Sequence, residues 1–145
     1  MTSSAGAATS GCLVYLHKRE ECDRLASDLR RDGVGATAYH AALSASVKEQ
    51  VLADWLAGAP TARVVCATVA CGMGVDKADV RLVVHYSTPS SLAAYYQEAG
   101  RAGRDGKPSR AVLMYSEQDL QRSRYFIDQE ALKRCGDEHA AQEDA

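Results

Sequence analysis

Val64-Val65-Cys66-Ala67-Thr68-Val69-Ala70-Cys71-Gly72-Met73-Gly74-Val75-Asp76-Lys77-Ala78-Asp79-Val80-Arg81-Leu82-Val83-Val84-His85-Tyr86 sets two apolar, β-branched runs on either side of a glycine loop. Short continuous apolar runs bounded by turn residues read as strands buried on both faces, which is the habit of parallel sheets. The first run, from Val64, ends on Thr68, whose hydroxyl and following loop N–H suit a phosphate oxygen. Gly72 and Gly74 permit positive φ or close backbone approach. Asp76, two residues after Gly74, can accept from a ribose hydroxyl or hold an arginine. Taken alone, such a loop reads equally as an ordinary turn.

A second motif lies downstream, in Gln97-Glu98-Ala99-Gly100-Arg101-Ala102-Gly103-Arg104-Asp105-Gly106. A helix continued through it would place Gln97, Arg101 and Arg104 at i, i+4 and i+7, on one stripe. The small residues between them keep that surface thin, so a bulky anion or a second domain can come close. Two permanently charged, planar guanidiniums suit a nucleotide triphosphate, because each can donate bidentate bonds to phosphate oxygens. The plainer alternative is a glycine-interrupted helix end with solvated arginines near its C-terminal dipole.

The remaining pattern alternates strands with helices. Strands are expected at Cys12–Leu16, Ala36–Tyr39, around Val64, around Val83 and from Ser109 to Tyr115. A helix over Lys18–Arg31 would turn Cys22, Leu25, Ala26 and Leu29 inward and end at Gly33 and Gly35. Ser46-Val47-Lys48-Glu49 has capping-box spacing and predicts a helix through Ala57, with Val51, Leu52, Trp55 and Leu56 facing the core. Gly58–Thr61 reads as a turn. Pro89-Ser90-Ser91 opens the helix that carries Gln97. Ser116 and Asp119 cap a last helix to about Arg134. This order predicts an α/β domain with a mostly parallel sheet covered on both faces. Its ligand chemistry would lie in loops at the carboxyl ends of strands.

Length and composition agree with one such domain. The chain has 145 residues, 46% hydrophobic, with a formal net charge of −2. That balance argues against a free-standing electrostatic binder of nucleic acid, which would be strongly basic. No apolar run approaches the ~20 residues of a membrane span, and Met1–Ser10 lacks the charge and apolar core of a secretory signal. Residues 1–10 are expected to be a flexible lead-in, 11–134 the folded domain and 135–145 a disordered tail. Five cysteines at irregular spacing, with no CxxC pair, argue against zinc or disulfides and for reduced thiols in an intracellular protein.

Residues 67–81 (ATVACGMGVDKADVR), 83–86 (VVHY) and 95–106 (YYQEAGRAGRDG) resemble motifs V and VI of superfamily 2 helicases in the form found in the RecQ family of DNA helicases. Leu13-Val14-Tyr15-Leu16-His17 resembles motif IV. Ala38-Tyr39-His40-Ala41-Ala42-Leu43 resembles the element that follows it, with Ala42 where the family commonly has glycine. Cys71 stands where an aromatic residue is common. The resemblance spans about Gly11 to Tyr125. It implies a three-layer RecA-like (P-loop NTPase-like) helicase C-terminal domain acting in an ATP-dependent 3′-5′ DNA helicase. Arg101 and Arg104 would be arginine fingers, Gln97 would place the γ-phosphate or the attacking water, and Gly74 and Asp76 would border the nucleotide. Thr68 would contact a nucleic-acid phosphate. Lys18, at a helix start, reads either as a second phosphate contact or as a solvated surface lysine. His40 reads as groove-lining or as a core or capping histidine. His17, His85, Tyr95, Tyr96 and Trp55 read as structural.

No GxxxxGK[ST] occurs in the sequence. Asp137-Glu138-His139-Ala140 has the wrong order and context for an acidic catalytic box. ATP and Mg²⁺ would therefore be shared with an N-terminal RecA-like domain carrying Walker A and B motifs, and DNA would lie across both domains. The location implied is the nucleus in a eukaryote and the cytoplasm in a bacterium. A different class stays open: a non-catalytic RecA-like module that binds nucleic acid or protein. An RNA helicase domain is a lesser alternative.

Overall fold

The computed structural model describes residues 10–69, 76–121, 123–125 and 128. Most of the lead-in, the loop 70–75 with Gly72 and Gly74, and the tail 135–145 lie outside the described residues. Two compact units are present, Met1–Met114 and Tyr115–Ala145.

In the first unit the order is β1 (Gly11–Leu16), α1 (Arg19–Arg31), β2 (Ala36–Tyr39), α2 (Ala45–Leu56), β3 (Val64–Thr68), β4 (Val80–His85), α3 (Leu92–Ala99) and β5 (Arg110–Leu113), with a 3-10 turn at Pro60–Ala62. The five strands form one sheet in the order β2-β3-β1-β4-β5. Every pairing is parallel, with Leu13 opposite both Val65 and Val83. Side chains alternate along β1, so each face collects its own core. Leu13 and Tyr15 join Trp55, Ala62, Val65, Val80 and Val83 on the α2 side. Val14 and Leu16 join Cys22, Ala26, Ala36 and Cys66 on the α1 side. The expected three-layer α/β architecture is the one observed.

The thiols behave as core atoms. Burial pushes the Cys66 thiol up to about 12 and that of Cys12 to about 11, so both stay protonated and poorly nucleophilic at neutral pH.

Several details differ from the sequence reading. The hydroxyl that caps α2 belongs to Ser44, which accepts from Val47 N–H at 3.4 Å, and Ser46 lies inside the helix. Both serines can cap, and the earlier start adds the Lys48 N–H to Ser44 carbonyl bond at 3.0 Å. Leu56 is exposed, because the inward stripe of α2 runs through Val51 and Trp55 and the helix ends there. Tyr96 is 69% exposed rather than core, while Tyr95 turns its ring to within 5.0 Å of that of His85.

Gly35 does not end α1, which closes at Asp32 with Gly33 at φ 83°. Its role is space. A Cβ there would lie 1.7 Å from the Pro60 carbonyl oxygen and 2.7 Å from its carbon. Backbone cannot yield as a flexible side chain does, and Gly35 also accepts from Val64 N–H at 3.0 Å. Gly35→Ala is expected to destabilise the domain by about 2–3 kcal/mol, at the upper end of overpacking costs. The urea midpoint by circular dichroism measures it, and an unchanged midpoint would show that the 3-10 turn moves freely.

In the second unit Ser116 and Asp119 form the expected capping box. Asp119 N–H donates to Ser116 Oγ at 3.2 Å, and Ser116 N–H donates to Asp119 Oδ2 at 2.9 Å. Residues 117–121 and 123–125 are helical.

Candidate functional site

The helix that carries Gln97 starts where its sequence says it should: Ser91 caps α3 by accepting from Ala94 N–H at 3.1 Å. It ends at Ala99, so the stripe through Gln97, Arg101 and Arg104 does not form as one helix. Gly100 is the C-cap, and Gly103 takes φ 65°, a left-handed value that glycine adopts without a steric cost. A Cβ on Gly103 would also press on the Lys107 carbonyl oxygen at 3.0 Å and displace Ser109 Oγ, 2.4 Å away. The turn is then tied to the entrance of β4. Gly103 N–H donates to the Val80 carbonyl at 2.9 Å, and Asp105 N–H donates to the Ala78 carbonyl at 3.2 Å. Arg81 adds a side-chain bond to Asp105 and another to the Pro108 carbonyl at 3.0 Å. The guanidinium beside Asp105 holds its carboxyl below the usual range.

This anchoring decides where the two arginines point. Arg104 Nη1 donates to the Asp76 carboxylate, which joins the glycine-loop motif to the arginine motif. Both partners are open to solvent, with side-chain exposures of 42% and 80%. Such a pair is weak in water and can exchange partners. Arg101 is half-buried and lies near enough to Tyr15 for its charge to act on the phenol. Burial pushes the Tyr15 phenol up to about 12, with Arg101 pulling the other way, so the hydroxyl stays protonated. Gln97 is exposed on α3. Gly74 lies outside the described residues.

The candidate nucleic-acid residues form a separate group. Lys18 follows β1, His40 follows β2 and Thr68 ends β3. These ends are level, because Leu16 pairs with Thr68 and Tyr39 with Ala67. Lys18 is exposed at the start of α1. Thr68 and His40 are buried, at 7% and 5% exposure, and His40 Nε2 lies 3.1 Å from Asp23 Oδ1. The arginine-bearing turn is bonded instead to the entrance of β4, so the strand ends hold only part of the site.

Sequence reasoning treated His85 as structural and named Tyr15 only within the stretch resembling motif IV. They sit opposite each other in the β1–β4 register, with rings stacked at 5.4 Å. His85 is fully buried, and its Nε2 lies 2.8 Å from Glu98 Oε2. A histidine ending an otherwise apolar strand was the available signal.

The donors on the turn are the guanidiniums of Arg101 and Arg104, which suit a phosphate-bearing ligand, with the Asp76 carboxylate as the present acceptor for Arg104. Among the described residues no group of three or more His, Cys, Asp or Glu side chains is placed to hold a metal ion. Among them also, no helix is long and apolar enough to cross a membrane.

Comparison with known proteins agrees with this geometry. Residues 6–106 match the helicase conserved C-terminal domain model. The chain is 45% identical over 130 residues to the RecQ-like DNA helicase BLM of Xenopus laevis, covering 90% of this chain and 9% of that protein. It is 48% identical over 127 residues to ATP-dependent DNA helicase Q5 of Rattus norvegicus, covering 87% of this chain and 13% of that protein. The chain thus spans about a tenth of the length of these relatives. Among solved structures, the Mycobacterium smegmatis helicase Lhr bound to ssDNA and AMP-PNP superposes with a TM-score of 0.61 at 32% identity, over 73% of this chain and 15% of that one. From its strand order, its arginine-bearing turn and these matches, the chain belongs to the helicase conserved C-terminal domain family, with its sequence relatives among the RecQ-like DNA helicases.

Proposed function

We propose that this chain is the second motor domain of an ATP-dependent 3′-5′ DNA helicase of RecQ type, completed by an N-terminal RecA-like domain that carries Walker A and B motifs. The observation that carries the reading is the junction of Arg104 with Asp76, on the turn that also bears the half-buried Arg101. Two guanidiniums on a thin, glycine-bounded turn can be presented across a cleft between domains. ATP with Mg²⁺ supplies the phosphoryl group whose transfer drives movement. The metal ligands and the phosphate lysine are assigned to the partner domain, since this sequence has no P-loop.

Arg101 and Arg104 stabilise charge on the transferred group, where preorganised donors act most strongly. Arg104 leaves Asp76 when phosphate is the better partner, and Asp76 and Gly74 then border the nucleotide. Gln97 orients the water or the γ-phosphate. Lys18, Thr68 and His40 form a DNA-facing edge, in which Lys18 brings the charge and His40 is fixed by Asp23. Contacts of this kind position a backbone without reading bases.

The isolated chain is expected to hydrolyse ATP no faster than buffer. Exchanged for the matching segment of the rat Q5 helicase, it is expected to sustain turnover stimulated by single-stranded DNA. Turnover by the isolated chain that is lost in Arg101→Ala would overturn the division of labour, and a folded graft without stimulated turnover would overturn the motor assignment.

A further inference from the structure

Arg81 is the second residue of β4, and its guanidinium crosses from the strand to the turn that carries Arg104. Nη2 donates to the Asp105 carboxylate and Nη1 to the Pro108 carbonyl at 3.0 Å. Longer bonds run from Nε to the Asp79 carbonyl at 3.3 Å and from Nη2 to the Ala78 carbonyl at 3.4 Å. The Asp105 carboxylate also accepts from Lys107 N–H at 3.1 Å. Both side chains are mostly covered, at 25% and 20% exposure. A planar fork can serve all of these acceptors together, and a lysine cannot. The strand does not need the bonds, because β4 is held through its main chain between β1 and β5. Arg104 is the residue they enclose. Its neighbours on either side are fixed, Gly103 N–H on the Val80 carbonyl at 2.9 Å and Asp105 N–H on the Ala78 carbonyl at 3.2 Å. Its guanidinium reaches Asp76, on the same approach to β4. That approach is anchored in turn. Lys77 is buried with Nζ 2.9 Å from Asp79 Oδ1, and Gly11 N–H donates to the Asp79 carbonyl at 3.3 Å.

We propose that Arg81 and Asp105 are positioning residues that fix the turn so that Arg104 projects in the direction from which it serves turnover. The inference rests on the reading of Arg104 as a finger. It adds that the finger is aimed within this domain, by a strand residue outside the arginine motif, before any partner docks. A partly exposed ion pair contributes little to the stability of a fold. The effect of this one therefore belongs in the order of the turn and in the chemistry.

Amide hydrogen exchange of the full ¹⁵N-labelled chain, followed by NMR, tests the ordering. Arg81→Ala and Asp105→Ala should each speed exchange of the amides at 103 and 105 about tenfold, the scale of one hydrogen bond to a charged group. The amides of Tyr86 and Met114, which bond β1 to the end of β4 and β4 to the end of β5, should keep their rates. If Arg81→Ala loosens those strand amides as well, Asp105→Ala alone decides. Asp105→Asn keeps an acceptor for Arg81 and Lys107 and should leave the turn amides within about twofold. Arg81→Lys should behave like Arg81→Ala. In the rat Q5 graft, Arg81→Ala and Asp105→Ala should lower kcat about tenfold, since a misplacement of ~1 Å can cost on the order of a hundredfold. KM for ATP should stay within about twofold, because only transition-state contact is lost. In an Arg104→Ala background the same substitutions should lower the residual kcat no further, because their route to the chemistry is already gone. Turn amides unchanged in both variants overturn the inference, and so does a further loss of kcat in the Arg104→Ala background. Wild-type kcat in both, with Arg104→Ala inactive, overturns it while leaving the finger reading intact. Full turnover in Arg104→Ala overturns the two together.

Discussion

Arg101→Ala or Arg104→Ala, made in the grafted two-domain helicase, is expected to lower ATP turnover on the order of a thousandfold, the usual scale for an arginine finger. Affinity for ATP should fall far less. The charge of the γ-phosphate redistributes as the bond breaks, and a guanidinium already in place stabilises that state more than the ground state. The two sites should differ in one respect. Arg104 begins on Asp76 in solvent, and Arg101 begins half-buried. Arg104→Ala therefore removes a mobile contact, and Arg101→Ala also empties a half-buried position. Lysine should rescue neither well, since a point charge lacks the planar fork. DNA affinity should survive in both, because Lys18, His40 and Thr68 lie at the ends of β1, β2 and β3, away from the turn. Turnover, nucleotide affinity and DNA affinity on each variant check this. Near-normal stimulated turnover in both would reduce the turn to a helix terminus.

Most of the sheet was legible because its strands obey one simple rule. A strand buried on both faces has no polar register to maintain, so the apolar runs at 64–67 and 82–84 marked the strands Val64–Thr68 and Val80–His85. The helices were legible to the extent that their caps were unambiguous. Ser91 was clear, whereas Ser44 and Ser46 both satisfied the capping rule and only the packing of Val51 and Trp55 separates them. The arginines were found by spacing, but their arrangement was not. Helical periodicity assumes continuous helix, and Gly100 and Gly103 end it in favour of bonds to Ala78 and Val80, residues more than twenty positions upstream. The same limit hid Tyr15 and His85. Nothing local marks a strand residue as the neighbour of an arginine some eighty positions away, because that proximity comes from the parallel β1–β4 pairing.

Trp55→Ala is expected to cost about 3–5 kcal/mol, the range for removing a large aromatic from a core. Trp55 is 2% exposed and sits among Leu13, Ala62, Val65 and Val80, so the lost volume is walled by short side chains on a rigid sheet and cannot be refilled locally. Its loss reaches further through Lys77. That lysine is buried at 6% exposure, with Nζ lying 5.9 Å from the indole centroid, 2.9 Å from Asp79 Oδ1 and 3.5 Å from the Leu56 carbonyl. Without the ring the lysine stem loses its apolar cover and the ammonium its π face. Gly11 packs against the same two residues: a Cβ there would fall 2.9 Å from Trp55 Nε1 and 2.8 Å from Lys77 Cε. The start of β1, the end of α2 and the segment entering β4 thus meet on one indole. Against a total stability of about 5–15 kcal/mol for a domain, the loss leaves little reserve. Trp55 is the single tryptophan, so the urea midpoint is followed by circular dichroism, where a fall of roughly 2 M is expected from ordinary urea slopes. Tyr96→Ala, on the exposed side of α3, is the control and should shift stability by less than about 0.5 kcal/mol. Equal shifts in the two variants would mean that Trp55 does not sit in the core that joins these three elements.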